Sequence, residues 1–253
     1  MTLLAVERIK LFTTRSPLWC TLAALAITVG FAALIAGVDT ENAPTVASTQ
    51  FGYSFGLVVI MVMATLAVTT EYRFGTIRAT FQAIPNRTAA LLAKTTVVAS
   101  FAAAIGLLSA FGSVAIAKLI QPSADLAINT AFEWRATAGV GLVYATAAVL
   151  AVAVGILIRQ SSGAVAIVLI YSQLVESLVV LIPNVGADIQ KWMPFYVANK
   201  FLTGDPDPTS RAVAEGPPPS AATLSPWWAL AYFVGFAVVL LVISLVTANK
   251  RDA

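Results

Sequence analysis

The sequence contains no histidine and only one cysteine, Cys20. A disulfide within the chain is therefore impossible, and a zinc site built from cysteine and histidine is excluded. Catalysis by a Ser-His-Asp or Cys-His arrangement needs a base that this chain lacks. The phosphate-binding motif G-x-x-x-x-G-K-[ST] is also absent, so ATP cannot bind through such a loop. We therefore expect a non-catalytic chain that carries neither a metal nor a cofactor of its own.

Charged residues are scarce as well. They make up 11% of the 253 residues, whereas 59% are hydrophobic, and soluble domains have about 25% charged residues. The mean hydropathy is +0.87. So few polar residues cannot cover a water-exposed surface, which means that lipid must surround much of the chain. The net charge of +3 is small and scattered, and it argues against a nucleic-acid partner.

The sequence contains several long apolar stretches. A bilayer core about 30 Å thick needs roughly 20 apolar residues in one helix. Six stretches meet this requirement and predict a single all-α transmembrane domain over 1–253: 18–36, 51–69, 95–117, 136–158, 163–182 and 227–246. The first is longer than the apolar part of a signal peptide, about 7–15 residues, and no A-x-A cleavage site follows it. We expect it to be a membrane helix.

The placement of lysine and arginine predicts the orientation of these helices. With the N-terminus inside, ten of these residues fall in inside segments and five in outside segments. This asymmetry predicts that both termini are cytoplasmic and that the long loop 183–226 faces outward. In that loop, aromatic residues mixed with prolines predict short helices at the outer interface, and Asp205-Pro206-Asp207 predicts a solvated turn rather than a metal site.

The residues before the first stretch have an amphipathic pattern. Ile9 and Phe12 share one side of a helix with other apolar residues, while Glu7 points elsewhere. This pattern predicts a helix that lies in the membrane interface and ends at Ser16-Pro17. A frayed basic terminus is the alternative.

The loop 70–88 between the second and third stretches is the most informative segment outside the bilayer. Ile77 and Phe81 recur at helical spacing, Gly75 allows a turn before them, and Pro85 ends the helix. A two-turn helix with one apolar stripe is not stable alone in water. It must therefore rest on the membrane or dock onto another protein.

This loop carries a motif, Glu71-Tyr72-Arg73-Phe74-Gly75-Thr76-Ile77-Arg78, which is followed by Pro85-Asn86-Arg87 and Lys94. With the six stretches, the chain resembles the type-2 ABC transporter permeases, the membrane subunits of bacterial exporters. In that family a similar E-x-R-x-G-T-x-R segment forms the coupling helix that docks on an ATPase. The resemblance implies that the residues in contact with the ATPase are Glu71, Arg73, Gly75, Thr76, Ile77, Arg78, Phe81 and Arg87.

The resemblance also implies partners and a location. We expect two copies of an ABC ATPase subunit, which would hold ATP and Mg²⁺, and a second six-span permease half that is either the same chain or a relative. The complex would lie in the bacterial cell membrane. A secondary transporter and a non-catalytic membrane anchor are the alternatives. A secondary transporter would show internal repeats or broken helices in matching halves, and no such repeat is visible in the sequence.

Polar residues in the fifth stretch suggest a translocation pathway. Glu176 lies near the middle of this stretch, where a carboxylate costs on the order of 3 kcal/mol, and we expect Gln173 to lie one turn earlier on the same face. In the resembling family the second and fifth spans border the pathway. The resemblance thus predicts that Gln173 and Glu176 line it, with Phe55 and Met63 as an apolar wall. Alternatively, Glu176 accepts hydrogen bonds from a neighbouring helix or the outer loop and fixes the packing.

Overall fold

The computed structural model describes residues 3–38, 43–84, 86–206 and 216–251. Within these ranges every regular element is a helix and no strand occurs. Among the described residues, six helices are long and apolar enough to cross a membrane, and we call them spans 1 to 6: Arg15–Val38, Val46–Phe74, Arg87–Ile120, Ala131–Ile158, Ser161–Leu181 and Pro226–Arg251. Each overlaps one predicted stretch. The predicted all-α membrane fold with six spans is confirmed.

Span 3 extends well beyond the stretch that hydropathy predicts. It contains 34 residues, which correspond to about 51 Å of helix at 1.5 Å per residue, against a bilayer core of about 30 Å. Asn86 caps its first turn by accepting a hydrogen bond from the backbone N–H of Ala89. The helix is therefore longer than the apolar core requires, and the expected stretch 95–117 leaves out its first turns, with Lys94.

The N-terminal helix runs from Leu3 to Thr13, and span 1 begins immediately afterwards at Arg15. The expected end at Ser16-Pro17 is wrong, because Pro17 lies in the first turn of span 1, where its missing N–H costs no hydrogen bond. Glu7 and Leu11 are buried, whereas Phe12 is exposed and its ring meets Phe101 of span 3 edge to face.

Span 4 forms the centre of the described structure and is the most buried of the six spans. Its closest neighbour is span 3. A Cβ atom added at Gly106 of span 3 would lie 2.9 Å from the Cα of Gly141 in span 4. Ala102 and Ala110, spaced four residues from Gly106, are also buried. This row of small residues lets the two backbones approach closely.

Span 5 is an interrupted helix rather than the regular helix expected over 163–182. It is α-helical over Ser161–Leu169, π-helical over Ile170–Val175, α-helical again over Glu176–Leu178 and 3₁₀-helical over Val179–Leu181. A π-helical turn contains more residues than an α-helical one and shifts the register of the faces. As a result Ser172 and Glu176 are buried, while Gln173 is exposed.

The segment after span 5 contains two short helices, Gly186–Gln190 and Pro194–Thr203. Pro194 occupies the first position of the second helix, where proline is favoured. Asp205 and Pro206 follow, but Asp207, the last residue of the expected D-x-D turn, lies outside the described residues, as does Pro85 of the loop 70–88.

Candidate functional site

The N-terminal helix, the connection between spans 2 and 3, and the end of span 6 lie on one face of the bundle, which we call the terminal face. The connection contains an eight-residue helix, Thr76–Ala83, which we call the loop helix. Gly75 separates it from span 2 and has φ = +73°, the left-handed conformation. Space for a Cβ exists there, so the requirement for glycine is conformational.

The loop helix directs its apolar stripe toward the chain itself. Ile77 is 5% exposed and belongs to the hydrophobic core, and Phe81 is partly buried against that core. The side chains of Arg73, Thr76 and Arg78 are exposed. Ile77 packs into the chain's own core and anchors the loop helix, and its expected contact with an ATPase stays a prediction. The exposed surface of the loop helix is polar and basic.

Beneath the loop helix lies an ionic cluster that joins four parts of the chain. The Nζ atom of Lys94 in span 3 is 2.5 Å from Oε2 of Glu7 and 2.9 Å from Oε1 of Glu71 at the end of span 2. The Nζ atom of Lys10 is 2.8 Å from Oε1 of Glu7 and donates a 3.0 Å hydrogen bond to Oγ1 of Thr80 in the loop helix. The N-terminal helix is thereby connected directly to the loop helix.

Most charged side chains of the cluster are largely shielded from solvent. The side chains of Glu7 and Lys94 are only 4% and 7% exposed, and that of Glu71 is 14% exposed. Burial raises the pKa of Glu7, but the charge of Lys94 and the hydrogen bonds from Lys10 and Lys94 outweigh this effect and hold the pKa below its ordinary value. Glu7 is therefore a carboxylate at neutral pH.

Sequence reasoning had placed Glu71 and Lys94 in the motif but had not assigned a role to Glu7. Glu7 and Lys94 are 87 residues apart, and no local periodicity links them. One signal was present: an acidic residue on an interfacial helix whose neighbouring charges are mostly basic. Such a residue has an obvious partner in the lysine at the start of span 3.

A cleft of about 770 Å³ opens beside the loop helix. We call it the arginine cleft, because its lining includes five arginines from separate elements: Arg73, Arg78, Arg87, Arg159 and Arg251. Three of these guanidinium groups lie over aromatic rings, with 5.2–5.6 Å between the guanidinium carbon and the ring centroid: Arg73 over Phe74, Arg87 over Phe81, and Arg159 over Tyr72. These contacts orient the guanidinium groups and leave their charges in place.

The four residues expected along the pathway do not share one environment. Phe55 is exposed and stacks on Phe31 of span 1, with centroids 4.8 Å apart, whereas Met63 is 1% exposed in the core. Gln173 is exposed and Glu176 is buried, so these two do not lie on one face as expected, because the π-helical turn rotates one against the other. Span 2 packs against the first half of span 5.

The carboxylate of Glu176 caps the helix Pro194–Thr203. Its Oε1 accepts a hydrogen bond from the backbone N–H of Phe195 at 3.1 Å, and its Oε2 accepts one from Tyr196 at 2.8 Å. These N–H groups belong to the first turn of that helix, where they have no partner within the helix and favour a negative charge. This geometry corresponds to the packing interpretation, and a role of Glu176 in the pathway stays a prediction.

Within the ranges that the structure describes, no group of three or more cysteine, aspartate or glutamate residues is placed to hold a metal ion. A family model described as ABC-2 family transporter protein matches residues 3–175, from the N-terminal helix to the end of the π-helical turn in span 5. No curated protein matches the sequence. The match covers the terminal face except for the end of span 6.

Proposed function

The chain belongs to the ABC-2 transporter family, and from this premise we propose that it is the permease subunit of an ATP-driven exporter. The family and the six apolar helices make it a multi-pass membrane permease subunit. Proteins of this family are generally non-catalytic and associate with an ABC ATPase. The proposal adds that ATP and Mg²⁺ bind to that separate chain, and that its hydrolysis drives export through this one.

The loop helix is the proposed contact with the ATPase. Its ends are held by Gly75 and by the cap of span 3, and its inner side is anchored by Ile77. Its exposed side, with Arg78, and the exposed Arg73 at the end of span 2 are available to a partner. We therefore revise the contact expected from the sequence: the arginines dock, while Ile77 and Phe81 transmit the movement to the core.

The ionic cluster supports this coupling role. A displacement of the loop helix passes from Thr80 to Lys10 of the N-terminal helix, and from there through Glu7 to Lys94. Glu71 and Lys94 carry the same displacement to spans 2 and 3. This linkage is the observation that most favours coupling, since a helix that merely rested on lipid would need no hydrogen bond to a cluster that joins three other elements.

The complete exporter would contain two ATPase subunits and two permease halves, with both termini of this chain in the cytoplasm of a bacterial cell. Spans 2 and 5 would border the pathway. Phe55 and Gln173 are exposed and would face it directly. Met63 and Glu176 are buried and would affect the pathway indirectly. Met63 would do so by packing in the core, and Glu176 by holding the helix Pro194–Thr203 in place.

The interrupted span 5 is the one observation that favours a secondary transporter, since broken helices with buried polar groups form the binding sites of that class. The two functions differ in their energy source. Transport by a secondary transporter would stop when the ion gradient across the membrane is collapsed and would persist without an ATPase partner.

Purification of the tagged full-length chain from its own cells tests the proposal. We expect an ABC ATPase to co-purify with the wild-type chain and to be lost from the double variant Arg73→Glu/Arg78→Glu. The matched control is Arg8→Glu/Arg15→Glu, which reverses two exposed charges on the terminal face outside the loop helix. Equal retention of the ATPase by both variants would refute docking through the loop helix.

A further inference from the structure

The N-terminal helix presents its apolar residues to the outside and two of its charged residues to the chain. Glu7 and Lys10 belong to the ionic cluster. On the side turned away from the chain, Leu4 and Ile9 are each 48% exposed and Phe12 is 59% exposed. A helix on a water-exposed surface has the opposite arrangement, with polar residues outward. The outer side of this helix therefore fits an apolar surrounding.

The connection to span 1 indicates that this surrounding is lipid. Only Thr14 separates the N-terminal helix from Arg15, the first residue of span 1. In the first turns of span 1, Leu18 and Trp19 are 60% and 67% exposed. So short a connection keeps the helix beside the membrane, and its outer side continues the apolar surface of span 1.

Two contacts between the N-terminal region and span 3 define a layer as thick as a bilayer core. At one end, the side chain of Gln121, directly after span 3, donates a 2.8 Å hydrogen bond to the carbonyl oxygen of Ala36 in span 1. At the other end, the ring of Phe12 meets that of Phe101. Span 3 rises about 30 Å between these contacts, at 1.5 Å per residue, and the bilayer core is about 30 Å thick. Phe12 therefore matches the boundary between the acyl chains and the headgroups.

The exposed arginines of this region lie beside that boundary. Arg15 follows Phe12 closely, and Arg8 precedes Phe12 by one helical turn, about 6 Å. The neighbour of Arg8, Glu7, binds Lys94, which lies about 10 Å further along span 3 toward the terminal face than the residue that Phe12 contacts. Arg8 is thus on the headgroup side of the boundary, in a layer about 5–7 Å deep.

Both arginines keep their charges available. Arg8 and Arg15 are exposed, and no hydrogen bond or ion pair joins either guanidinium group to the described part of the chain. Glu7 is the only acidic residue of 3–38, and the lysines of the ionic cluster already hold it. The planar fork of N–H donors on arginine matches phosphate oxygens in pairs.

From these observations we propose that the N-terminal helix and the start of span 1 form a binding surface for anionic phospholipid in the leaflet of the terminal face. Leu4, Ile9 and Phe12 contact the upper part of the acyl chains, and Arg8 and Arg15 bind the phosphates. A helix with this combination of apolar and basic residues binds anionic membranes preferentially. The inference concerns the chain alone and does not depend on an ATPase.

The test uses a fluorescent probe that reports which lipid lies beside the helix. The full-length variant Cys20→Ser/Ile9→Cys is labelled with an environment-sensitive fluorophore and reconstituted into phosphatidylcholine vesicles. These contain an equal, small fraction of spin-labelled phosphatidylglycerol or spin-labelled phosphatidylcholine as the quencher. We expect emission typical of an apolar surrounding, and an enrichment of phosphatidylglycerol around the probe of roughly fivefold for each arginine.

The variant Arg8→Gln/Arg15→Gln should be quenched equally by the two lipids and should stay folded, since its side chains are exposed. The matched control is Lys250→Gln/Arg251→Gln, which removes two exposed positive charges from the end of span 6 on the same face. It should keep the enrichment of phosphatidylglycerol.

Three results would overturn the proposal. The first is equal quenching by both lipids in the chain with Arg8 and Arg15 intact. The second is an equal loss of enrichment in the control, which would mean that the lipid senses only the total charge of the face. The third is emission typical of water without quenching by either lipid, which would leave the apolar side for a protein partner.

Discussion

Replacement of Lys94 by methionine is the sharpest perturbation of the ionic cluster. Methionine preserves much of the side chain's volume and removes the charge that lies 2.5 Å from Glu7 and 2.9 Å from Glu71. Only Lys10 would then face the two carboxylates, and it is 3.6 Å from Glu71. Removing one member of a buried ion pair costs about 3–5 kcal/mol, because the other member stays buried without its partner.

This cost can be converted into a melting temperature. In a chain of this size, 1 kcal/mol shifts the midpoint of thermal unfolding by about 2–4 °C, so Lys94→Met should lower it by roughly 6–20 °C. The assay is the fraction of folded protein that remains after heating in detergent, measured by size-exclusion chromatography with tryptophan fluorescence. Lys191→Met, which breaks an exposed ion pair with Asp188 on the opposite face, is the control and should shift the midpoint only slightly.

A double variant distinguishes a lost ion pair from lost packing. In the double variant Glu7→Gln/Lys94→Met, the carboxylate of Glu7 that would lack its partner is also removed, and Glu71 still has Lys10 nearby. We expect the double variant to be more stable than the sum of the single effects predicts, by about 0.5–3 kcal/mol. Additive effects, or a shift below 2 °C for Lys94→Met alone, would refute the view that the cluster holds the terminal face together.

The pH dependence follows from the pKa of Glu7, which the lysines hold below its ordinary value. A carboxyl group with a lowered pKa in the folded state contributes stability above its unfolded pKa and loses it as the pH falls through the folded pKa. The stability difference between wild type and Glu7→Gln should therefore be constant near neutral pH. It should shrink only in acid below the ordinary range of glutamate.

Three further predictions concern other parts of the chain. Glu176→Ala should lower the unfolding midpoint more than Glu176→Gln, and Ser177→Ala should barely change it, because only Glu176 caps the helix Pro194–Thr203; equal midpoints would contradict the capping role. Gly106→Val should prevent stable assembly because its side chain would collide with the backbone of span 4, and normal expression and melting would contradict this. In a chain without its native cysteine, an impermeant thiol reagent added outside cells should label Asp188→Cys and not Gln82→Cys, and the reverse pattern would invert the proposed topology.

The six spans could be predicted because hydropathy depends on local composition alone. The interruption of span 5 could not, since the composition of Ile170–Val175 fits a regular membrane helix as well as a π-helical turn. The capping of Phe195 and Tyr196 by Glu176 joins residues about 20 positions apart. The sequence suggested a hydrogen-bonding role for Glu176 only as an alternative.

The loop helix, too, could be predicted only in part. Its existence and its bounding glycine were evident from the spacing of Ile77 and Phe81 and from Gly75. The direction of the apolar stripe was not, because the pattern fits a partner's groove as well as the chain's own core. Glu7 was missed for a related reason: its partner Lys94 is distant in sequence, and only the folded chain brings the two together.

The central claim is that an ABC ATPase docks on the exposed side of the loop helix. A photo-crosslinking amino acid at Gln82 or Ala79, both exposed on that helix, tests this in living cells, with the same amino acid at Asp188 on the opposite face as the control. The account predicts a crosslinked product with an ABC ATPase from Gln82 and Ala79 and none from Asp188. Absence of the ATPase from the loop-helix products, in cells where the chain is folded and in the membrane, would contradict it.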